Sequence, residues 1–138
     1  MKRYGLSFGV LFIDIDHFKD VNDQYGHDMG DKVLWAVSRN MSTVVRSSDI
    51  VGRWGGEEFV GVILNVDSRQ LYLVAEKIRS EIEKTRIEEN SHSVNVTVSI
   101  GGTLADSDCT LDKVGLLKKA DVLLYQSKVA GRNRVTID

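Results

Sequence analysis

The sequence predicts an α+β domain, an antiparallel sheet flanked by helices. Three observations carry this: short β-branched and aromatic runs, apolar stripes at helical spacing between them, and one hairpin signal. Residues 6–15, LSFGVLFIDI, predict a buried strand. Residues 28–45 predict a helix, with Val33, Leu34, Val37, Met41 and Val44 at helical spacing. Strands over 49–53 and 58–64 flank Trp54-Gly55-Gly56-Glu57, the hairpin turn. Residues 67–88 predict an amphipathic helix with Leu71, Val74, Ile78 and Ile82 on one stripe. Residues 94–104, VNVTVSIGGTL, alternate and predict a strand that ends at Gly101-Gly102. Residues 112–130 predict a third helix, with Val114, Leu117, Ala120 and Leu124 inward and Gly131 as its stop. Residues 134–137, RVTI, predict a short last strand. The order β-α-β-β-α-β-α-β is the split βαβ, ferredoxin-like arrangement with an addition at the C-terminus.

The bulk numbers narrow the function class. The chain has 138 residues, of which 42% are hydrophobic and 28% charged, enough for the core of one domain. A net charge of −2 and a pI near 5.9 argue against binding a nucleic-acid polymer. No apolar run approaches the ~20 residues that span a bilayer, and no signal-peptide pattern is present. The lone cysteine, Cys109, cannot form an internal disulfide, which fits a reducing cytoplasm, and its polar surroundings assign it no chemistry.

Carboxylates gather where strands end. The first strand closes on Asp14-Ile15-Asp16, and acidic groups there are costly to desolvate unless paired or metal-bound. The hairpin adds Glu57 and Glu58. If the hairpin pairs beside the first strand, Glu57 and Asp14 face one cleft. Carboxylates from separate elements suit a hard cation such as Mg²⁺. Gly55 and Gly56 allow a positive φ and a close approach by a bulky ligand. An EF-hand reading of DIDHFKDVND fails, because its glycine and terminal glutamate are not at the required spacings. Residues 17–33 read as a polar loop leading into a helix. Its amides can cradle phosphate, and Asn22 and Asp31 can accept from a guanine edge. Asp28 and Asp31 equally suit the first helical turn. Lys128 and Arg132 bracket Gly131, ordinary company for a helix C-terminus.

Taken together, IDIDHFKDVNDQYGHDMGDKVL, RWGGEEF, VTVSIGG and ADVLLYQSKVAGRNRV resemble, in order and over nearly the whole chain, the motifs of the GGDEF family of diguanylate cyclases, in the variant with Glu at the third signature position. The resemblance implies a palm-like, nucleotidyl-cyclase-like fold and the joining of two GTP into cyclic di-GMP with release of two pyrophosphates. It implies that Asp14, the Ile15 carbonyl and Glu57 hold Mg²⁺, two ions per site with Mn²⁺ as an alternative, and that Glu58 supports them. Asn22 and Asp31 read guanine, and Asp31 favours GTP in both halves of the product. The backbone near His17 and Phe18, with Lys128 and Arg132, holds the phosphates, while Gly55 and Gly56 leave room for the nucleotide. Catalysis then needs two chains face to face, a homodimer.

Arg46-Ser47-Ser48-Asp49 lies just upstream, with five residues between Asp49 and Gly55. In the family, RxxD at this spacing is an inhibitory site for the product, and Arg79 is expected as a second product contact. The bland alternative is a solvated charge pair. Family members begin earlier, with a helix and a D-x-LTGL-x-NR motif. Residues 1–138 are therefore expected to be a single catalytic domain whose N-terminal helix and sensor belong to a longer parent. Three rivals remain. One is a catalytically inactive receptor for GTP or cyclic di-GMP. A second is another palm-like polymerase or cyclase fragment, which would want a basic template groove. The third is a structural scaffold, which leaves the acids unexplained.

Overall fold

The computed structural model describes residues 7–105 and 111–138; Cys109 lies outside them. Strand β1 (Phe8–Ile15) is the apolar run expected, and it lies at the centre of a five-stranded sheet. Helices α1 (Phe18–Tyr25) and α2 (His27–Val44) follow, then the hairpin β2 (Ile50–Gly55) and β3 (Glu58–Leu64). Helix α3 (Ser68–Lys84), a small hairpin β4 (Ile87–Glu89) and β5 (His92–Val94), strand β6 (Val98–Ala105), helix α4 (Lys113–Val129) and β7 (Val135–Ile137) complete the described residues. The sheet order is β2-β3-β1-β6-β7. β1 is antiparallel to both β3 and β6, and β7 adds in parallel at the β6 edge. This is the ferredoxin-like arrangement with its C-terminal addition.

Alternation along β1 divides the core. Leu11, Ile13 and Ile15 pack with Met29, Val33 and Val37 of α2 and with Leu71, Ala75 and Ile78 of α3. Val10 and Phe12 face the other way, onto Leu116, Ala120 and Leu124 of α4. Asp14 continues that second series, so period two alone delivers its carboxylate to the α4 side. Asp67 caps α3 and exchanges hydrogen bonds with Gln70 in a capping box.

Several expectations are corrected. The loop over 17–33 is largely helix: Phe18, Val21 and Tyr25 recur at helical spacing and pack on the core, and Gly26 at φ 93 separates α1 from α2. Helix α3 stops at Lys84, and β4–β5 follows with a tight turn at Asn90-Ser91, both in the left-handed region. Strand β6 starts at Val98 and runs through Gly101-Gly102 to Ala105. A Cβ on Gly101 would lie 2.0 Å from the Leu124 amide nitrogen, so the glycine marks the seat of α4 rather than a strand end. Val114 points to solvent, 62% exposed, and Leu116 and Leu123 take inward positions instead.

Candidate active site

Asp14, the penultimate residue of β1, has 11% of its side chain exposed, and Lys128 from the last turn of α4 donates to its Oδ2. Burial raises the Asp14 carboxyl above its ordinary range. Lys128 pulls it back only in part, and the nearby Asp16 charge adds to the rise. Asp14, Ile15, His17, Phe18, Glu57, Lys128 and Arg132 all line one cleft of about 240 Å³. Glu57 and Asp14 thus share a cleft, as the hairpin geometry required. Asp16, two residues on, lines the same cleft but is differently partnered. Its oxygens accept from Thr97 Oγ1 at 2.6 Å, Ser99 Oγ at 2.6 Å and the Asn133 amide at 3.0 Å. A carboxylate with these donors is part of the scaffold.

The hairpin brings the remaining acids. Glu58 pairs directly across from Asp14 in the β1–β3 register, so the two side chains share a face. Burial first, then the Asp14 charge, raises the Glu58 carboxyl. The Glu57 carbonyl accepts from the Ile15 amide at 3.3 Å, which ties the turn to the end of β1. Gly56 has φ 53, and neither Gly55 nor Gly56 has an atom within 4 Å of where a Cβ would sit. The turn needs the left-handed conformation at Gly56, and the space over both glycines is open to a ligand.

Two helix ends complete the cleft. His17 adopts φ 58 and starts α1, whose first-turn residues Phe18, Lys19 and Asp20 line the cleft. Amides in a first helical turn lack intrahelical acceptors and favour anions. At the other end, α4 closes in a Schellman motif. The Arg132 amide donates to the Ser127 carbonyl at 2.9 Å, and that of Gly131, at φ 130, to the Lys128 carbonyl at 3.3 Å. This turn is what carries Arg132 to the cleft beside Lys128.

The two residues expected to read guanine lie on neighbouring helices. Asn22 of α1 packs against Gly30 of α2, where a Cβ would come within 1.9 Å of its Oδ1. That oxygen is buried and, among the described residues, has no hydrogen-bond partner. Asp31, next to Gly30, lines a second cleft of about 430 Å³ with Asp28, Lys32, Trp35 and Glu89. Helix α1 therefore offers its start to one cleft and Asn22 toward the Gly30-Asp31 corner.

Comparison with known proteins is decisive for the family. The profile of "Diguanylate cyclase, GGDEF domain" matches residues 1–134. The chain belongs to the GGDEF domain family. It is 40% identical over 131 residues to diguanylate cyclase A of Treponema denticola, covering 95% of this chain and 35% of that protein. It is 39% identical over 136 residues to diguanylate cyclase DosC of Escherichia coli, covering 98% of this chain and 29% of the relative. The chain thus spans about a third of the length of these relatives. Among solved structures, the GGDEF domain of DgcB from Caulobacter crescentus in complex with c-di-GMP matches with a TM-score of 0.89 at 31% identity, covering 96% of this chain and 78% of that one. The active GGEEF domain of a diguanylate cyclase from Vibrio cholerae matches at 0.85 and 32% identity, covering 95% and 82%.

Diguanylate cyclases use divalent metal ions, and the donor set of this GGDEF domain fits one. Among the described residues no three acidic or histidine side chains converge as a ready-made metal site. The cleft is lined by the carboxylates of Asp14, Asp16, Asp20 and Glu57 with Ile15 beside them, and of these Asp16 is already engaged by Thr97, Ser99 and the Asn133 amide. That is an all-oxygen set, which suits a hard divalent cation. Among the described residues, no helix of the GGDEF domain is long and apolar enough to cross a membrane.

The RxxD corner is a closed arrangement. Asp49, with 1% of its side chain exposed, accepts from the Arg46 amide at 3.0 Å, Arg46 Nε at 3.2 Å and the Leu64 amide at 2.9 Å. Arg46 Nη2 also donates to the Leu64 carbonyl. Burial alone would raise the Asp49 carboxyl, but these hydrogen bonds from Leu64 and Arg46 hold it below its ordinary range. Arg79 lies elsewhere in the GGDEF domain. Its guanidinium, 15% exposed, is held by Glu76 at 2.8 and 2.6 Å, Glu83 at 3.2 Å and Asn133 at 2.8 Å. The structure does not gather it with Arg46 and Asp49. Asp16 and Asn133 were not picked out by sequence as site residues. The tight spacing of G-R-N at 131–133 after a helix was the one available signal.

Proposed function

We propose that this domain is a diguanylate cyclase of the Glu-variant signature, condensing two GTP into cyclic di-GMP and releasing two pyrophosphates. The observation that carries the reading is the cleft itself. It sets the carboxylates of Asp14 and Glu57 against Lys128, Arg132 and the first turn of α1. Anionic donors for a cation and cationic donors for a polyphosphate meet in one place. Solved relatives that hold c-di-GMP support the nucleotide class.

In this reading Phe18 and its neighbours, with Lys128 and Arg132, hold the phosphates. Asn22 and Asp31 accept from the guanine edge, and Gly55 and Gly56 let the nucleotide lie against the turn. Two Mg²⁺ ions, or Mn²⁺, bound by Asp14, the Ile15 carbonyl and Glu57, would supply charge neutralisation and a more acidic 3′-hydroxyl. Glu58 supports Asp14 from the adjacent strand. Lys128 must exchange its Asp14 contact for phosphate when the nucleotide and cation enter. The 3′-oxygen of each GTP, its proton passing to solvent, forms a bond to the α-phosphorus of the other, and each α-phosphorus loses its bond to a departing pyrophosphate. Each chain supplies one GTP, so two domains meet about a two-fold axis. Arg46 and Asp49 bind accumulated product, for which Arg46 must leave Asp49 and the Leu64 carbonyl. Arg79 could join them only by leaving Glu76, Glu83 and Asn133. The domain works in the cytoplasm, where GTP is available, under a sensor in its longer parent.

The test is incubation of the chain with GTP and Mg²⁺ at high protein concentration, with products identified by chromatography and mass. Cyclic di-GMP is expected. Glu57→Gln should reduce its formation by more than about a hundredfold, because even partners outside a metal's ligand shell cost about 10–100-fold when removed. Undiminished turnover in that variant would refute the metal assignment. Binding of GTP with no product in the parent chain would favour a receptor instead.

A further inference from the structure

A continuous hydrogen-bonded chain runs from helix α3 to the end of β1 through the loop after α4. Glu76 and Glu83 grip Arg79, whose Nη1 donates to Asn133 Oδ1 at 2.8 Å. Asn133 Nδ2 donates to Glu83 Oε2 at 2.7 Å, and the Asn133 amide to Asp16 Oδ2 at 3.0 Å. Asp16 is in turn fixed by Thr97 and Ser99. Every polar group of the Asn133 side chain is used, although neither Asn133 nor Arg79 lines the cleft.

The loop thus gripped is strained. Arg132 at φ 63 and Asn133 at φ 48 are consecutive non-glycine residues in the left-handed region. Such a conformation is unfavourable for a side-chain-bearing residue and persists only where its surroundings over-determine it. Arg132 is the residue this loop presents to the cleft, four positions after Lys128. A relaxed loop would carry the Arg132 guanidinium away from the phosphate site while leaving α4 and the base-reading helices in place.

We propose that Arg79 and Asn133 are positioning residues for triphosphate recognition, holding Arg132 in its strained conformation from behind the cleft. The proposal rests on the nucleotide reading above and extends the phosphate site to helix α3. It also commits Arg79 to this task rather than to product binding.

The experiment is equilibrium titration of the full chain, with Mg²⁺, by GMP and by a GTP analogue bearing a methylene bridge between its α- and β-phosphorus atoms. Asn133→Gly keeps the left-handed conformation accessible and removes only the side-chain link; Arg79→Met removes the guanidinium. Both should weaken the analogue about tenfold, as expected for lost hydrogen bonds to charged groups, and change GMP affinity less than about twofold. Asn133→Asp combined with Glu83→Gln rebuilds both contacts with one donor and acceptor exchanged, and should restore affinity to within about twofold of the parent. Equal losses for the analogue and GMP, or no loss for either, would overturn the proposal. So would an Arg79→Met variant that loses cyclic di-GMP binding but keeps the analogue, which would return Arg79 to the product site. A parent chain that binds neither nucleotide would remove the nucleotide reading and this proposal together.

Discussion

Asp14 and Asp49 flank opposite ends of β3, the first across from Glu58 and the second against Leu64, and their surroundings treat them in opposite ways. Asp49 is met by amides and a guanidinium, and its carboxyl is held below the ordinary range. Asp14 has one hydrogen-bonding cation, Lys128, with Arg132 farther off, lies beside two other acids and is raised. Both are nearly buried. The difference is that the fold supplies donors at Asp49 and withholds them at Asp14. A corner satisfied from within contributes stability; a cleft left short of positive charge is prepared to take a cation from outside. The same contrast separates Asp14 in β1 from Asp16 just past its end.

The largest effect that tests this contrast is on turnover. Asp14→Asn should lower cyclic di-GMP formation by more than about a hundredfold, the same scale as for a lost metal ligand. Its melting temperature at neutral pH should not fall, because the fold disfavours the charge it removes. Asp49→Ala should do the reverse in stability. It strands the Leu64 amide and the Arg46 guanidinium, and chemical denaturation should show a loss of about 2–4 kcal/mol. Arg46→Ala should let product accumulate past the level at which the parent stalls. A stall at the same product concentration would remove the product-site reading of this corner.

Acid should separate the two regions further. Asp49, with its lowered carboxyl, gives stability that is present above its ordinary value of 3.8 and is lost as pH falls through its lower folded value. The stability difference between parent and Asp49→Asn should therefore shrink as pH falls from about 3.8 toward that lower value. Asp14 and Glu58, both raised, weaken the fold when charged, and that penalty is relieved as pH falls toward their ordinary values of 3.8 and 4.5. The advantage of Asp14→Asn over the parent should vanish over that higher window. Smallest is Gly56→Ala in the turn. Open space surrounds the position, but φ 53 should cost about 1 kcal/mol in thermal unfolding.

Legibility in the sequence followed how local each cause was. β1, α2 and α3 were readable because their apolar periods are set by one flat or curved surface. Asp14 and Glu57 were placed in one cleft correctly, because alternation and a two-glycine turn leave little choice. Helix α1 was masked by the charges around Phe18, Val21 and Tyr25, whose spacing still marks a packed face. Helix α4 is apolar on more than one side, with Val122, Tyr125 and Val129 also exposed, so no single stripe identified Leu116 and Leu123 as the inward pair. Gly101 read as a terminator because the helix backbone it accommodates lies about twenty residues away in sequence. The links from Arg79 to Asn133 and from Asn133 to Asp16 span 54 and 117 residues, and nothing local encodes either.

The most direct test of the central claim is calorimetric titration of the α,β-methylene GTP analogue into the parent chain and into Glu57→Gln, each with and without Mg²⁺. The account predicts that Mg²⁺ strengthens binding to the parent by more than about tenfold, because a cation held by Asp14 and Glu57 would neutralise phosphate charge, and does little for the variant. Equal affinity with and without Mg²⁺, unchanged by the substitution, would mean that the Asp14–Glu57 cleft does not recruit a cation for the nucleotide.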